Sequence, residues 1–336
     1  MSLLSRLRPD NYSLTLLAVI GLASLLPASG DVAIWLDHVT TVAIAVLFFM
    51  HGARLSREAV VAGAMHWRLH LVVAASTFVL FPVLGLLIGE ATESFLSPGL
   101  VAGILFLCAL PSTVQSSIAF TSMGGGNVAA AVCSASASNI AGIFITPLLV
   151  GILLDTQGVT VSLDAIQAIV LQLLVPFVAG QLARPLIAST MARHKAVLGH
   201  LDRGTILLVV YAAFSHAVVT GLWRQLSPAT LGLLLLVCAV LLAVVLVATT
   251  VASRLLGFSH EDEVAAVFCG SKKTLASGVP MAAVLFPAGM VGLAVLPLML
   301  FHQLQLMVCA AMAHRYAARA ENRLRTGEPA AATAGR

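Results

Sequence analysis

Ten apolar runs, each close to the length of a membrane span, follow one another along almost the whole chain. They cover roughly 13–27, 33–53, 68–89, 99–121, 127–153, 165–183, 204–222, 229–253, 263–286 and 291–314, with short polar links between them. A helix needs about 20 apolar residues to cross a hydrocarbon layer about 30 Å thick, so ten spans use nearly all of the 336 residues. No room remains for a sizeable water-soluble domain. The supply of charge agrees. Asp, Glu, Lys and Arg make up 10% of the chain, against about 25% in an ordinary soluble domain, too few to coat a surface that faces water. The chain is expected to be an all-α polytopic membrane protein with lipid as its main solvent, and any ligand must bind inside the membrane region.

Basic residues give the orientation, because loops on the cytoplasmic side are enriched in Lys and Arg. Placing the N-terminus inside puts Arg6, Arg8, Arg54, Arg57, Arg68, Arg184, Arg193, Lys195, Arg203 and Arg254 in the cytoplasm, together with Arg315, Arg319, Arg323 and Arg325. Arg224 alone falls outside, where Asp31, Asp37, Glu90, Glu93, Asp155 and Asp164 gather. Both termini are then cytoplasmic, and the plasma (inner) membrane is the expected location. Five spans that start inside end outside, so a first five-helix repeat over 11–153 and a second over 165–316 run in opposite senses. The remaining 317–336 form a basic tail, expected to be disordered and cytoplasmic. Arg6 and Arg8 ahead of the first run resemble a signal peptide, but the halves match only if that run is kept as a span. The isoelectric point near 9.0 reflects this topology, since the cations sit at helix ends and not along one face. No nucleic-acid partner is expected. Five cysteines lie inside apolar runs without CxxC or Cys/His spacing and read as small buried hydrophobes. No metal or cofactor is expected.

Two of the spans are interrupted. In the fourth, GLVAGILFLCALPSTVQSSIAF, eleven apolar residues stop at Pro111 and give way to Ser112, Thr113, Gln115, Ser116 and Ser117. Pro111 lies roughly 16 Å from the helix start at 1.5 Å per residue, near the bilayer midplane. Proline removes a backbone donor, and a break at this depth persists only where it is buried in protein or lines a wet cavity. The ninth span, at the matching place of the second half, is broken by Gly270, Ser271, Lys272, Lys273 and Thr274. A lysine at mid-depth costs at least about 2.5–3.5 kcal/mol on the mildest insertion scale. Snorkelling serves lysines near helix ends, whereas these two have apolar sequence on both sides. Adjacent residues of a helix point about 100° apart, so one lysine is expected to face a site and the other to need a carbonyl or hydroxyl. Paired interruptions at corresponding places are the best sequence pointer to a transport site.

Other polar residues sit at the same depth. The fifth span carries Ser134, Ser136 and Ser138 followed by Asn139, whose amide needs partners; the serines serve helix packing equally well. The tenth carries His302, Gln303 and Gln305. His216 in the seventh reads as structural. No Asp or Glu lies deep in any span, which argues against a strong metal-cation site. It favours either an anionic group on the solute or a protonatable lysine in place of a bound cation.

These residues carry a resemblance. LPSTVQSSIAFTSMGGGNVAAAVCSASASN, CGSKKTLASGVPMAAVLFP and LPLMLFHQLQ resemble the bile acid:sodium symporter superfamily, in its SBF-like branch that includes the seventh human member of solute carrier family ten, over roughly 10–316. The resemblance implies ten helices in two inverted repeats. Segments 1, 2, 6 and 7 would form a panel, and segments 3, 4, 5, 8, 9 and 10 a core in which discontinuous helices 4 and 9 cross. The core would move against the panel to carry a small organic anion or other small solute by alternating access. Cation ligands of the sodium-coupled relatives match approximately Ser116 and Ser117, Ser136 to Asn139, and Cys269 and Lys273. The acid and glutamine of segment 9 are absent here, which weighs against sodium coupling. A lysine ammonium that stands in the place of the sodium and steadies the crossover is the reading that the departure supports; it opens proton coupling beside sodium coupling and no coupling. The expected solute and ion contacts are Ser112, Thr113, Gln115, Ser116, Ser117, Ser136, Asn139, Ser271, Lys272, Lys273, Thr274, His302 and Gln303.

Two other classes were weighed. An intramembrane enzyme would need a base or metal ligands, and there is no HExxH, no aspartate pair and no histidine cluster; the chain is not expected to be an enzyme. A membrane regulator or sensor using the same fold without flux is the alternative to a transporter.

Overall fold

The computed structural model describes residues 11–54, 66–155 and 170–326. Among them every regular element is helical. The helices are α1 (Asn11–Leu25), α2 (Asp31–Arg54), α3 (Trp67–Thr92), α4 (Pro98–Ala109), α5 (Gln115–Met123), α6 (Val128–Asp155), α7 (Val175–Arg193), α8 (Lys195–Val219), α9 (Leu222–Gln225), α10 (Pro228–Leu255), α11 (His260–Gly270), α12 (Leu275–Leu285) and α13 (Ala288–Thr326). Among the described residues six helices are long and apolar enough to cross a membrane, and three shorter apolar helices accompany them. Residues 165–169 of the sixth predicted span, Arg6, Arg8, Arg57, Asp164 and 327–336 lie outside the described residues.

Helix starts follow local chemistry. Ser227 accepts a hydrogen bond from the Thr230 amide ahead of Pro228, and Ser259 accepts one from Asp262. Glu261, Asp262 and Glu263 then fill the first turn of α11, where the helix dipole favours acids. Gly257, at φ +68°, turns the chain after α10 so that the Gly257 and Phe258 amides reach Arg254 O and Ser253 O.

The polarity of the molecule is inverted relative to a soluble protein. Trp35, Leu182, Leu186, Val247 and Leu255 are exposed, while Lys272 and Lys273 are fully buried. The exterior suits lipid. Inside it, α4 is buried from Gly99 to Ala109 among α3, α6 and α13. Helices α1, α2, α7 and α8 pack mainly on one another, and α8 also packs on α12 and α13. The α2–α7 contact is a backbone approach: a Cβ on Gly52 would meet Phe177 O, and one on Gly180 would meet Phe49 O. Where α8 meets α13, a Cβ on Gly292 would come within 2.5 Å of the Ala217 methyl.

Two boundaries and one internal turn differ from the sequence reading. Helix α8 begins at Lys195, not near 204, because Lys195, Ala196, Leu198, Leu201 and Arg203 are good helix formers that continue it toward water. Helix α13 runs to Thr326, so 317–326, expected to be disordered tail, are helical; the Ala/Arg/Glu-rich sequence has high helix propensity and no breaker. Finally, α3 contains a π-helical turn over Ser76–Leu80.

Candidate functional site

The two interrupted spans are broken where expected, and the breaks meet. Helix α4 stops at Ala109 and α5 resumes at Gln115; α11 stops at Gly270 and α12 resumes at Leu275. Each stop orphans its last carbonyls, and in lipid every one of them must find a donor.

At the end of α4, Leu107 O accepts from the Leu110 amide, Ala109 O from Thr146 Oγ1, and Pro111 O from the Thr274 amide. Cys108 O and Leu110 O both accept from Lys273 Nζ, at 2.9 and 2.6 Å. At the end of α11, Val267 O accepts from the Ser271 amide and hydroxyl. Phe268 O accepts from Ser117 Oγ, Cys269 O from Ser112 Oγ, and Gly270 O from Ser76 Oγ. Each broken helix is thus capped by side chains from the other break, from α3 or from α6, and by its own next turn. The unwound amides are held too. Ser112 N donates to Ser138 Oγ, and Lys273 N donates to Gln305 Oε1 while Lys273 O accepts from Gln305 Nε2.

A third carbonyl reaches Lys273 Nζ, that of Thr77 at 2.9 Å. The π turn explains why it is available. Phe81 N bonds back to Ser76 O, so in that register Thr77 O would take the amide of residue 82, which is proline and has none. Three carbonyls from α3 and α4 therefore converge on one ammonium, which also lies 4.0 Å from the centre of the Phe81 ring. Lys272 Nζ donates to Ser116 O at 2.8 Å and lies over Phe120 and Phe268, at 4.1 and 5.1 Å. Residues 271–274 are not helical, so the expected 100° divergence does not apply. Both lysines turn into protein, and neither lines the neighbouring cavity.

The cavity lies beside the crossing. It has a volume of about 490 Å³ and sits between α2, α7 and α8 on one side and α5, α6, α12 and α13 on the other. Thr113, Gln115, Ser116, Ser136, Asn139, Thr274 and His302 line it. Ser112, Ser117, Ser271, Lys272 and Lys273 do not; they hold the crossing together. Gln303 is half-buried and outside the lining. His302 Nδ1 contacts Gln305 Nε2 at 2.9 Å, which ties the cavity wall to the Lys273 backbone.

Two features favour negative charge in this space. The first turns of α5 and α12 both border it, through residues 113–116 and 274–277, and helix N-termini carry partial positive charge. The opposite wall adds Arg54 and Arg203 against the single carboxylate of Asp202, which pairs with Arg54. The Arg203 guanidinium lies over the Tyr12 ring at 5.6 Å. Sequence reasoning assigned Arg54 and Arg203 to topology alone; the Asp202–Arg203 step just ahead of an apolar run was the available signal. It also passed over Thr77 and Pro82, whose roles arise only in the π register.

A family model described as the SBF-like CPA transporter family matches residues 10–318. The chain is 58% identical over 318 residues to "Uncharacterized protein PA2026" of Pseudomonas aeruginosa, covering 94% of this chain and 96% of that protein. It is 55% identical over 307 residues to "Putative symporter YfeH" of Escherichia coli K12, covering 91% and 92%. It is 26% identical over 314 residues to "Sodium/bile acid cotransporter 7" of Danio rerio, covering 92% and 94%.

Proposed function

We propose that this chain, which belongs to the SBF-like CPA transporter family, is a secondary active transporter that moves a small organic solute by alternating access. The observation that carries this reading is the cavity of about 490 Å³ that ends on the first turns of two broken helices. A solute there touches unpaired helix ends at mid-depth and the wall of a separate helix group, so a shift of one group against the other moves the barrier and not the site.

In this reading ten spans form two inverted repeats, 11–153 and 165–316, with α1, α2, α7 and α8 as the panel and the remaining spans as the core. Both termini are cytoplasmic and the membrane is the plasma (inner) membrane. The cavity carries Arg54 and Arg203, on the side that the positive-inside rule makes cytoplasmic. The close Gly292–Ala217 contact supports a seal on the other side, so the state described is inward-open.

The solute is an organic anion, on the strength of the two helix N-termini and the arginines. Lys272 and Lys273 do not supply that charge. Lys273 instead fills a cage of three carbonyls of the kind a bare cation would occupy, so transport needs no sodium at the crossing. The name of the Danio rerio relative points to sodium and a bile acid; the caged lysine argues against the first, and the second is one organic anion among many.

Purified protein would be screened by thermal shift against aliphatic and aromatic carboxylates, in sodium chloride and in choline chloride. A carboxylate that stabilises equally in both salts, and binds at least about tenfold more weakly to Asn139→Ala, supports the reading. Counterflow of that carboxylate in proteoliposomes completes it. Stabilisation confined to sodium would sink the sodium-free mechanism, and binding without counterflow would sink transport.

A further inference from the structure

Away from the solute cavity, α10 and α13 diverge on the lipid-facing surface to leave a second recess of about 490 Å³. Ala239, Ala243 and Leu246 on α10 face Val308 and Met312 on α13, and Arg254 closes one end. The hollow has a cause in the sequence. Ala239 and Ala243 are exposed and four residues apart, so they share a helix face, and their short side chains leave space that larger residues would fill.

Its length and charge say what fits. Fifteen residues separate Ala239 from Arg254, about 22 Å of helix at 1.5 Å per residue, and one leaflet with its headgroup layer is about 20–22 Å deep. The apolar end stops near the middle of α10 and the cationic end coincides with the end of that helix. Other cations gather there. Arg68 donates to Leu256 O just past α10, and exposed Arg315 and Arg319 follow Met312 at helical spacing on α13. Arg254 gives Nε and Nη2 to Glu263, yet its side chain stays 57% exposed. Glu263, the carboxylate it contacts, is also held by Tyr316.

We propose that this recess binds an anionic phospholipid, one acyl chain lying along Ala239, Ala243 and Met312 and the phosphate meeting Arg254 and its neighbouring arginines. A partner helix would not call for a cation at one end of an apolar hollow about one leaflet long. The lipid also has a mechanical consequence. Arg254 clamps Glu263 in the first turn of α11, so the headgroup site holds the starting end of the half-helix whose other end is at the crossing.

The test uses the full chain in detergent, unfolded by heat with dioleoyl-phosphatidylglycerol, dioleoyl-phosphatidylcholine or soluble glycerol phosphate. Phosphatidylglycerol should raise Tm by about 5 °C near saturation, phosphatidylcholine by clearly less, and glycerol phosphate not at all. Ala243→Phe, which fills the hollow from its lipid side, should keep the lipid-free Tm and lose most of the phosphatidylglycerol response. The Arg315→Gln, Arg319→Gln double variant should narrow the gap between the two lipids. Equal stabilisation by both lipids, a response to glycerol phosphate, or an undiminished response in Ala243→Phe would overturn the proposal.

Discussion

Lys273→Met isolates what the caged ammonium contributes. Methionine keeps most of the side-chain volume and removes the donor, which leaves the carbonyls of Thr77, Cys108 and Leu110 without the partner they now share. A buried acceptor without a donor costs about 1–3 kcal/mol. Removing the charge also relieves its own burial cost, so the low end applies, and three acceptors come to about 3–4 kcal/mol. Lys272→Met is the internal control. It frees one carbonyl, Ser116 O, which lies in the first turn of α5 where the helix already supplies an amide. Its cost is the contact with the Phe120 and Phe268 rings plus a weakened bond, about 1–2 kcal/mol. Lys273→Met should therefore unfold below Lys272→Met by about 4–8 °C, read from intrinsic fluorescence during heating in one detergent. Lys273→Ala adds a second readout. With the side chain gone the carbonyl cage is open to a free cation, so sodium chloride should stabilise this variant and leave wild type unchanged. If Lys273→Met is as stable as Lys272→Met, the carbonyl accounting is wrong and the lysine is not the keystone of the crossing.

Two further outcomes follow from packing. Gly52→Ala and Gly180→Ala each push a methyl into a backbone carbonyl of the facing helix, which no rotamer change relieves; each should cost at least about 2 kcal/mol and lower Tm, while Gly199→Ala, with open space around it, should not. Gln305→Leu strips both partners from the Lys273 backbone and should cost about 2–4 kcal/mol. Its test is thermal unfolding beside wild type, and an unchanged Tm would show that the unwound segment is held by other contacts.

Much of the fold was legible because lipid imposes a strict rule on sequence. Apolar runs of span length, scarce charge and clustered arginines announced a helical membrane protein before any coordinate was known. Pro111 and the Gly270–Thr274 interruption marked both helix breaks for the same reason: a polar or donor-less residue at mid-depth must be compensated by something. What the sequence could not say was by what. Ser112, Ser117 and Lys273 had the right chemistry for a binding site, yet they close the ends of helices that begin far away along the chain; Ser112 and the carbonyl it caps are 157 residues apart. Thr113, Gln115, Ser136 and Asn139, close neighbours of those residues, face the cavity instead. Arg203, which read as a membrane-face residue, lines its wall because α8 starts a full two turns earlier than its apolar run, and the Asp202 of that extension pairs with Arg54. Local sequence fixes which groups need partners in a medium without water. Only the approach of two distant breaks decides which of them satisfy each other and which are left for a solute.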